Sequence, residues 1–161
     1  LSGASFLDAE LEFERRAPGC ERGRARLGRD AGAQRLGASL YELPPGNAVC
    51  PYHWHAAEEE ILVALTEGVS LRTPGGWREL APGEVVAFPP GPDGAHQVAN
   101  FGDRPARALL LSQVSAIEVC CYPDSGKVMA DALDFGVSLV FRERDAVDYS
   151  EGEEPPAPPG G

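Results

Sequence analysis

From Arg35 onward, short apolar runs alternate with clusters of turn-forming residues, and the rhythm is that of β-structure. Leu36–Leu43 is predicted as a strand, closed by the turn Pro44-Pro45-Gly46-Asn47. Residues 61–65 and 70–73 follow, with the turn Pro74-Gly75-Gly76 after them, and residues 77–80 pair back. Ala81-Pro82-Gly83 leads into a strand at 84–88, and residues 96–100 and 106–112 form two more around Gly102-Asp103. Turn signals every 8 to 12 residues or so imply a sandwich or closed barrel. No long amphipathic helix interrupts residues 35–112, and no repeat of solenoid length is present.

The flanks are read differently. Residues 6–16 fit either a short helix or an alternating edge strand, since Leu7, Leu11 and Phe13 satisfy parts of both patterns. Residues 19–32 carry Arg22, Arg24, Arg26 and Arg29 and read as a solvated basic loop or strand, a reading favoured over an anion site. Residues 114–140 are expected to add outer strands with a turn at Pro123-Asp124-Ser125-Gly126. The expected layout is an N-terminal extension at 1–34, a barrel core at 35–113 and C-terminal strands packed on it at 114–150. An acidic Pro/Gly tail at 151–161 cannot bury apolar surface and is expected to be disordered.

Composition narrows the function classes. A chain of 161 residues with 43% hydrophobic content supports one domain with a real core. Its formal charge of -11 argues against nucleic acid and against an anionic membrane surface, both of which attract basic proteins. The expected partners are a small-molecule ligand or substrate and other copies of the chain. Cys20, Cys50, Cys120 and Cys121 match neither a zinc knuckle nor a Cys-x-x-Cys pair, and they read as free thiols packed as small hydrophobes in a reducing, cytoplasmic setting. No apolar stretch approaches the roughly 20 residues of a membrane span. Residues 1–19 do not resemble a signal peptide, because Asp8, Glu10, Glu12 and Glu14 interrupt them.

The candidate chemistry lies in three histidines and a carboxylate. In His53-Trp54-His55, residues two apart on a strand project from one face, so both imidazoles can converge on one ion while Trp54 points away. Downstream, Glu58-Glu59-Glu60 runs directly into the apolar segment Ile61-Leu62-Val63-Ala64-Leu65. A carboxylate entering such a strand makes sense as a cation ligand, because an unpaired buried charge costs several kcal/mol or so. The third histidine, His96, follows the Pro/Gly turn 89–94.

The spacing of these residues resembles that of the cupin superfamily. Gly46, six residues, His53-x-His55, four residues, Glu60, seven residues and Gly68 is similar to its first motif. Gly83, five residues, Pro89-x-Gly91, four residues, His96, three residues and Asn100 is similar to its second. There are departures: one extra residue before His53, two before His96, and Glu67 standing where the motif has Gly. They leave Glu59 and Glu60 as alternatives for the carboxylate, with Glu60 preferred because counting back from position 67 selects it. The flanking Tyr122-Pro-Asp-Ser-Gly-Lys127 also resembles small single-domain cupins of unassigned function.

The resemblance implies an all-β, double-stranded β-helix with added N- and C-terminal strands, holding a divalent metal on His53, His55, Glu60 and His96. Three imidazoles and one carboxylate leave open positions on Fe, Mn, Ni, Co or Zn, and ligand type alone does not choose among these metals. The activity it implies is that of a metal-dependent oxygenase or isomerase acting on a small molecule. The alternative is a non-catalytic small-ligand-binding or sensing protein with a structural metal. No catalytic residue beyond the ligands is assigned; Cys50, Tyr52, Trp54, Gln97, Tyr122 and Lys127 are expected to serve packing or surface roles. A homodimer is implied by the family.

Overall fold

A computed structural model describes residues 3–156. Thirteen strands are present: β1 Glu12–Arg15, β2 Glu21–Ala25, β3 Leu36–Leu43, β4 Trp54–His55, β5 Glu60–Ala64, β6 Val69–Thr73, β7 Gly76–Glu79, β8 Val85–Phe88, β9 Gln97–Asn100, β10 Ala106–Gln113, β11 Glu118–Tyr122, β12 Lys127–Ala132 and β13 Val137–Arg142. A single turn of helix, α1 (Leu27–Asp30), follows β2. The strands form an open jelly roll. A six-stranded sheet runs β1-β2-β3-β10-β5-β8, a three-stranded sheet runs β7-β6-β9, and a four-stranded sheet runs β13-β12-β11-β4.

The core lies where alternate residues of the first two sheets face each other. Leu43, Leu62, Ala64, Ala106, Ala108 and Phe88 come from the large sheet, and Val69, Leu71 and Val98 from the small one, all essentially solvent-free. Strand β3 has the boundaries expected from its sequence, and β5 to β10 fall within a residue or so of theirs. Two close approaches require glycine. Gly68 has φ +84°, and a Cβ there would press on the Asn100 side chain; a Cβ on Gly94 would overlap the Pro89 carbonyl oxygen. Asn100 itself is fully buried and donates to the Leu43 and Arg104 carbonyls at 2.8 and 2.7 Å, locking the end of β9 to β3.

The N-terminal flank differs from its expected character. Residues 12–15 form an edge strand, which resolves the helix-or-strand alternative. Of the loop-or-strand alternatives at 19–32 the strand holds, since β2 pairs with both β1 and β3, but it is not solvated throughout: Arg22 is 6% exposed. Its guanidinium donates to the Val49 carbonyl and to Glu14 Oε1, and both Arg22 and Arg24 lie over the Tyr41 ring. Carboxylate, carbonyl and aromatic partners from three other segments make burial of these charges tolerable. All four cysteines are free. Residues 151–156 are exposed turn and coil, and the rest of the predicted tail lies outside the described residues. Among the described residues, no helix is long and apolar enough to cross a membrane.

Candidate metal centre

His53, Glu60 and His96, from three parts of the chain, bring ligand atoms within 4.8 Å of one another, and His55 adjoins two of them. His53 and His96 form an antiparallel bridge, His53 N–H donating to the His96 carbonyl at 3.1 Å and His96 N–H donating back at 2.8 Å. His55, two residues on in β4, turns its ring to the same side, its centroid 4.8 Å from that of His53. The 89–94 turn is pinned beside them by Gly91 N–H donating to the His55 carbonyl at 2.8 Å. Glu60 opens β5 directly opposite Phe88 of β8, and the Phe88 ring lies flat on His96, centroids 3.8 Å apart with 8° between planes.

The nearest polar atoms are spaced like ligands around one ion. His53 Nε2 and His55 Nε2 are 3.0 Å apart, His55 Nε2 and Glu60 Oε2 3.4 Å, and His96 Nε2 and Glu60 Oε2 3.1 Å. With metal–ligand bonds near 2.0–2.1 Å, adjacent ligands of an octahedral or tetrahedral ion sit about 2.9 to 3.4 Å apart. Glu60 Oε2 and His96 Nε2 are also buried with no hydrogen-bond partner, which is costly unless a cation satisfies them. The residues present therefore fit a divalent metal. Of the two carboxylate alternatives, Glu60 points into the cluster and Glu59 is exposed.

The opposite nitrogens orient the rings. His53 Nδ1 faces the Pro51 carbonyl at 3.0 Å and His96 Nδ1 the Gly94 carbonyl at 2.9 Å, which places Nδ1–H outward and leaves Nε2 free as a ligand. Burial, reinforced by its histidine neighbours, pushes His53 down to about 3, so its ring is neutral. Burial works against charge on His55 too, but contacts with Cys120 and Glu60 outweigh it and push the ring up to about 10. For Glu60 burial is likewise overcome, here by His55 and His96, and its carboxyl lies well below the usual range.

The other sequence candidates divide. Tyr52 is buried under the Arg72 guanidinium, 4.1 Å from its ring, and serves packing. Gln97 is not turned to solvent, since its Nε2 donates to the Cys50 carbonyl at 3.0 Å. Cys50 Sγ lies 3.5 Å from His53 Nδ1, and burial pushes its thiol up to about 12, so it is unreactive. Tyr122 does not lie on a surface turn. It ends β11, with its ring parallel to His53 at 5.9 Å, and Lys127 Nζ sits 5.3 Å from that ring. Glu118, for which the sequence suggested no role, and Cys120, read there as a packed thiol, stand behind His55. A signal was present: Glu118, Cys120 and Tyr122 alternate along one face of a strand, and a carboxylate in an apolar strand is the same anomaly that marked Glu60.

Residues 39–112 match the family model described as a cupin domain. The chain is similar in structure to a candidate sugar phosphate isomerase from Acidithiobacillus ferrooxidans, at 26% identity over 89% of this chain and 90% of that one, with a TM-score of 0.77. A sugar phosphate isomerase from a cupin superfamily, from Silicibacter pomeroyi, shares the fold at 24% identity over 88% and 93% of the two chains, TM-score 0.78. The polyketide cyclase RemF from Streptomyces resistomycificus also shares it, at 24% identity over 71% and 80%, TM-score 0.60. No curated protein matches the sequence.

Proposed function

We propose, from the match of residues 39–112 to the cupin-domain model, that the chain is a metal-dependent enzyme of the isomerase type acting on a small anionic substrate such as a sugar phosphate. His53, His55, Glu60 and His96 are its metal ligands. The observation that carries the reading is the 3.0–3.4 Å spacing of their inner atoms, two of them buried with no other partner. A divalent ion held there supplies Lewis acidity toward a substrate carbonyl or hydroxyl. Phe88 and the two backbone carbonyls keep the His96 and His53 rings fixed.

Support for the substrate class comes from two directions. The likeness to the Acidithiobacillus protein spans nearly the whole of both chains and, at 26% identity, exceeds a likeness of fold alone; it favours isomerisation over oxygenation. In addition Lys127, the only lysine of the chain, stands directly opposite Arg142 across β12 and β13, on the same face as Tyr122. Like charges placed opposite each other repel. Among the described residues neither forms an ion pair, whereas most other arginines do. A phosphate gathered by Lys127 and Arg142 relieves that repulsion, with the Tyr122 ring leading from it to His53. The scarcity of proton-transfer groups favours the second reading, a binding or sensing protein: burial pushes both Tyr122 and Cys50 up to about 12.

The test begins with elemental analysis of protein purified without a histidine tag. One equivalent of a divalent metal is expected in the wild type and none in His96→Ala. Protein loaded with Fe, Mn, Ni, Co or Zn is then offered aldose and ketose phosphates. Interconversion supports the enzyme, tight binding without turnover supports the sensor, and a wild type that retains no metal sinks both.

A further inference from the structure

His55 is held differently from the other two histidines. The outer nitrogens of His53 and His96 face backbone carbonyls, whereas His55 Nδ1 faces only side chains: Cys120 Sγ at 3.1 Å and Glu118 Oε1 at 3.8 Å. Both come from β11, beyond the stretch matched by the cupin model. Cys120 lies in register with His55, and Glu118 is tied to the residues just after it, accepting from Ala56 N–H at 2.9 Å and Ala57 N–H at 3.4 Å. Glu118 is 8% exposed and its second oxygen, Oε2, is buried with no partner. A buried carboxylate with half its hydrogen-bonding capacity unused is retained at a cost, so a function for its charge is indicated.

We infer that Glu118 and Cys120 are positioning residues of the proposed centre. Cys120 accepts the His55 Nδ1–H and fixes the ring with Nε2 inward, and Glu118 supplies negative charge that makes that nitrogen a stronger donor to the metal. The inference rests on the metal reading above and adds that the C-terminal sheet, not the cupin motifs alone, completes the site. These same atoms invite a different assignment, a second ion bound by His55 Nδ1, Glu118 and Cys120. The geometry favours the positioning role. A tetrahedral ion with Zn-like bonds sets its nitrogen and sulfur ligands about 3.5 Å apart, wider than the 3.1 Å found, and Glu118 Oε1 is already taken by two N–H groups.

Glu118→Gln keeps an acceptor for Ala56 and removes the charge; Cys120→Val removes the acceptor and keeps the bulk. Each is titrated with Co(II) beside the wild type, and the proton spectrum of each Co(II) form is recorded for the shifted, exchangeable ring N–H signals of ligand histidines. The wild type is expected to bind one ion per chain and show three such signals. Glu118→Gln is expected to lose about 10- to 100-fold in affinity with one of the three signals displaced, the usual scale for removing a partner behind a metal-bound histidine. Cys120→Val is expected to weaken binding and to lose or broaden that same signal. Unchanged affinity and spectra in both variants beside a metal-binding wild type overturn this inference alone. So do two ions per wild-type chain. A wild type that binds no Co(II) overturns the metal reading, and the inference with it.

Discussion

Phe88 shows how much of the centre depends on a residue that cannot ligate anything. Its ring covers one face of His96, and both are almost solvent-free. Phe88→Ala should cost about 3–5 kcal/mol through the cavity it leaves. It should also release the His96 ring, so urea unfolding and metal titration should both register the change; Phe88→Leu should recover most of the stability and less of the affinity. Arg22 and Glu14 make a comparable partnership at the N-terminal flank, their side chains 7% and 29% exposed. Burial opposes charge on Glu14, but the Arg22 guanidinium prevails and holds its carboxyl below the ordinary 4.5. A depressed carboxyl contributes stability that is complete above its ordinary value and fades as pH falls through its folded value. Glu14→Gln should therefore be less stable than the wild type at neutral pH, by about 1–3 kcal/mol. The two should converge in acid, as thermal melts across that range would show.

At the scale of elements, the strands most legible in the sequence are those whose turns announce them. The stretch Pro44-Pro45-Gly46-Asn47 fixes the end of β3, and the block from Pro89 to Gly94 delivers His96 to His53. Within 19–32 the strand was legible as one alternative, but the burial of its arginines was not. Arg22 and Arg24 look solvated until Glu14, Tyr41 and the Val49 carbonyl arrive from elsewhere in the chain, and linear spacing does not announce partners of that kind. The role of β11 was hidden for the same reason: Glu118 and Cys120 acquire meaning only once β4 pairs beside them. Strand β13 lies at the open edge of its sheet with all six residues exposed. In the monomer its amides should exchange with solvent well before those of β3, β5 and β10 at the centre of the large sheet, and hydrogen-exchange mass spectrometry would resolve the difference.

For the molecule as a whole, the C-terminal surface is the unfinished part. Leu133, Phe135, Val137, Leu139, Val140 and Phe141 are all exposed, an apolar stretch on a chain of net charge -11. A second copy of the chain pairing through this sheet is the expected cover, in line with the homodimer that the family resemblance implies. Sedimentation should give a dimer for the wild type and a monomer for Val140→Asp; a wild-type monomer at all concentrations would dismiss the idea. The bridge between His53 and His96 has a consequence of another kind. Forty-two residues separate the two along the chain, yet two reciprocal main-chain bonds already hold them as neighbours. Bringing those two side chains together is thus a property of the strand pairing itself. A backbone pairing of that kind would let an ion meet two of its proposed ligands as neighbours, with no strand having to change partner.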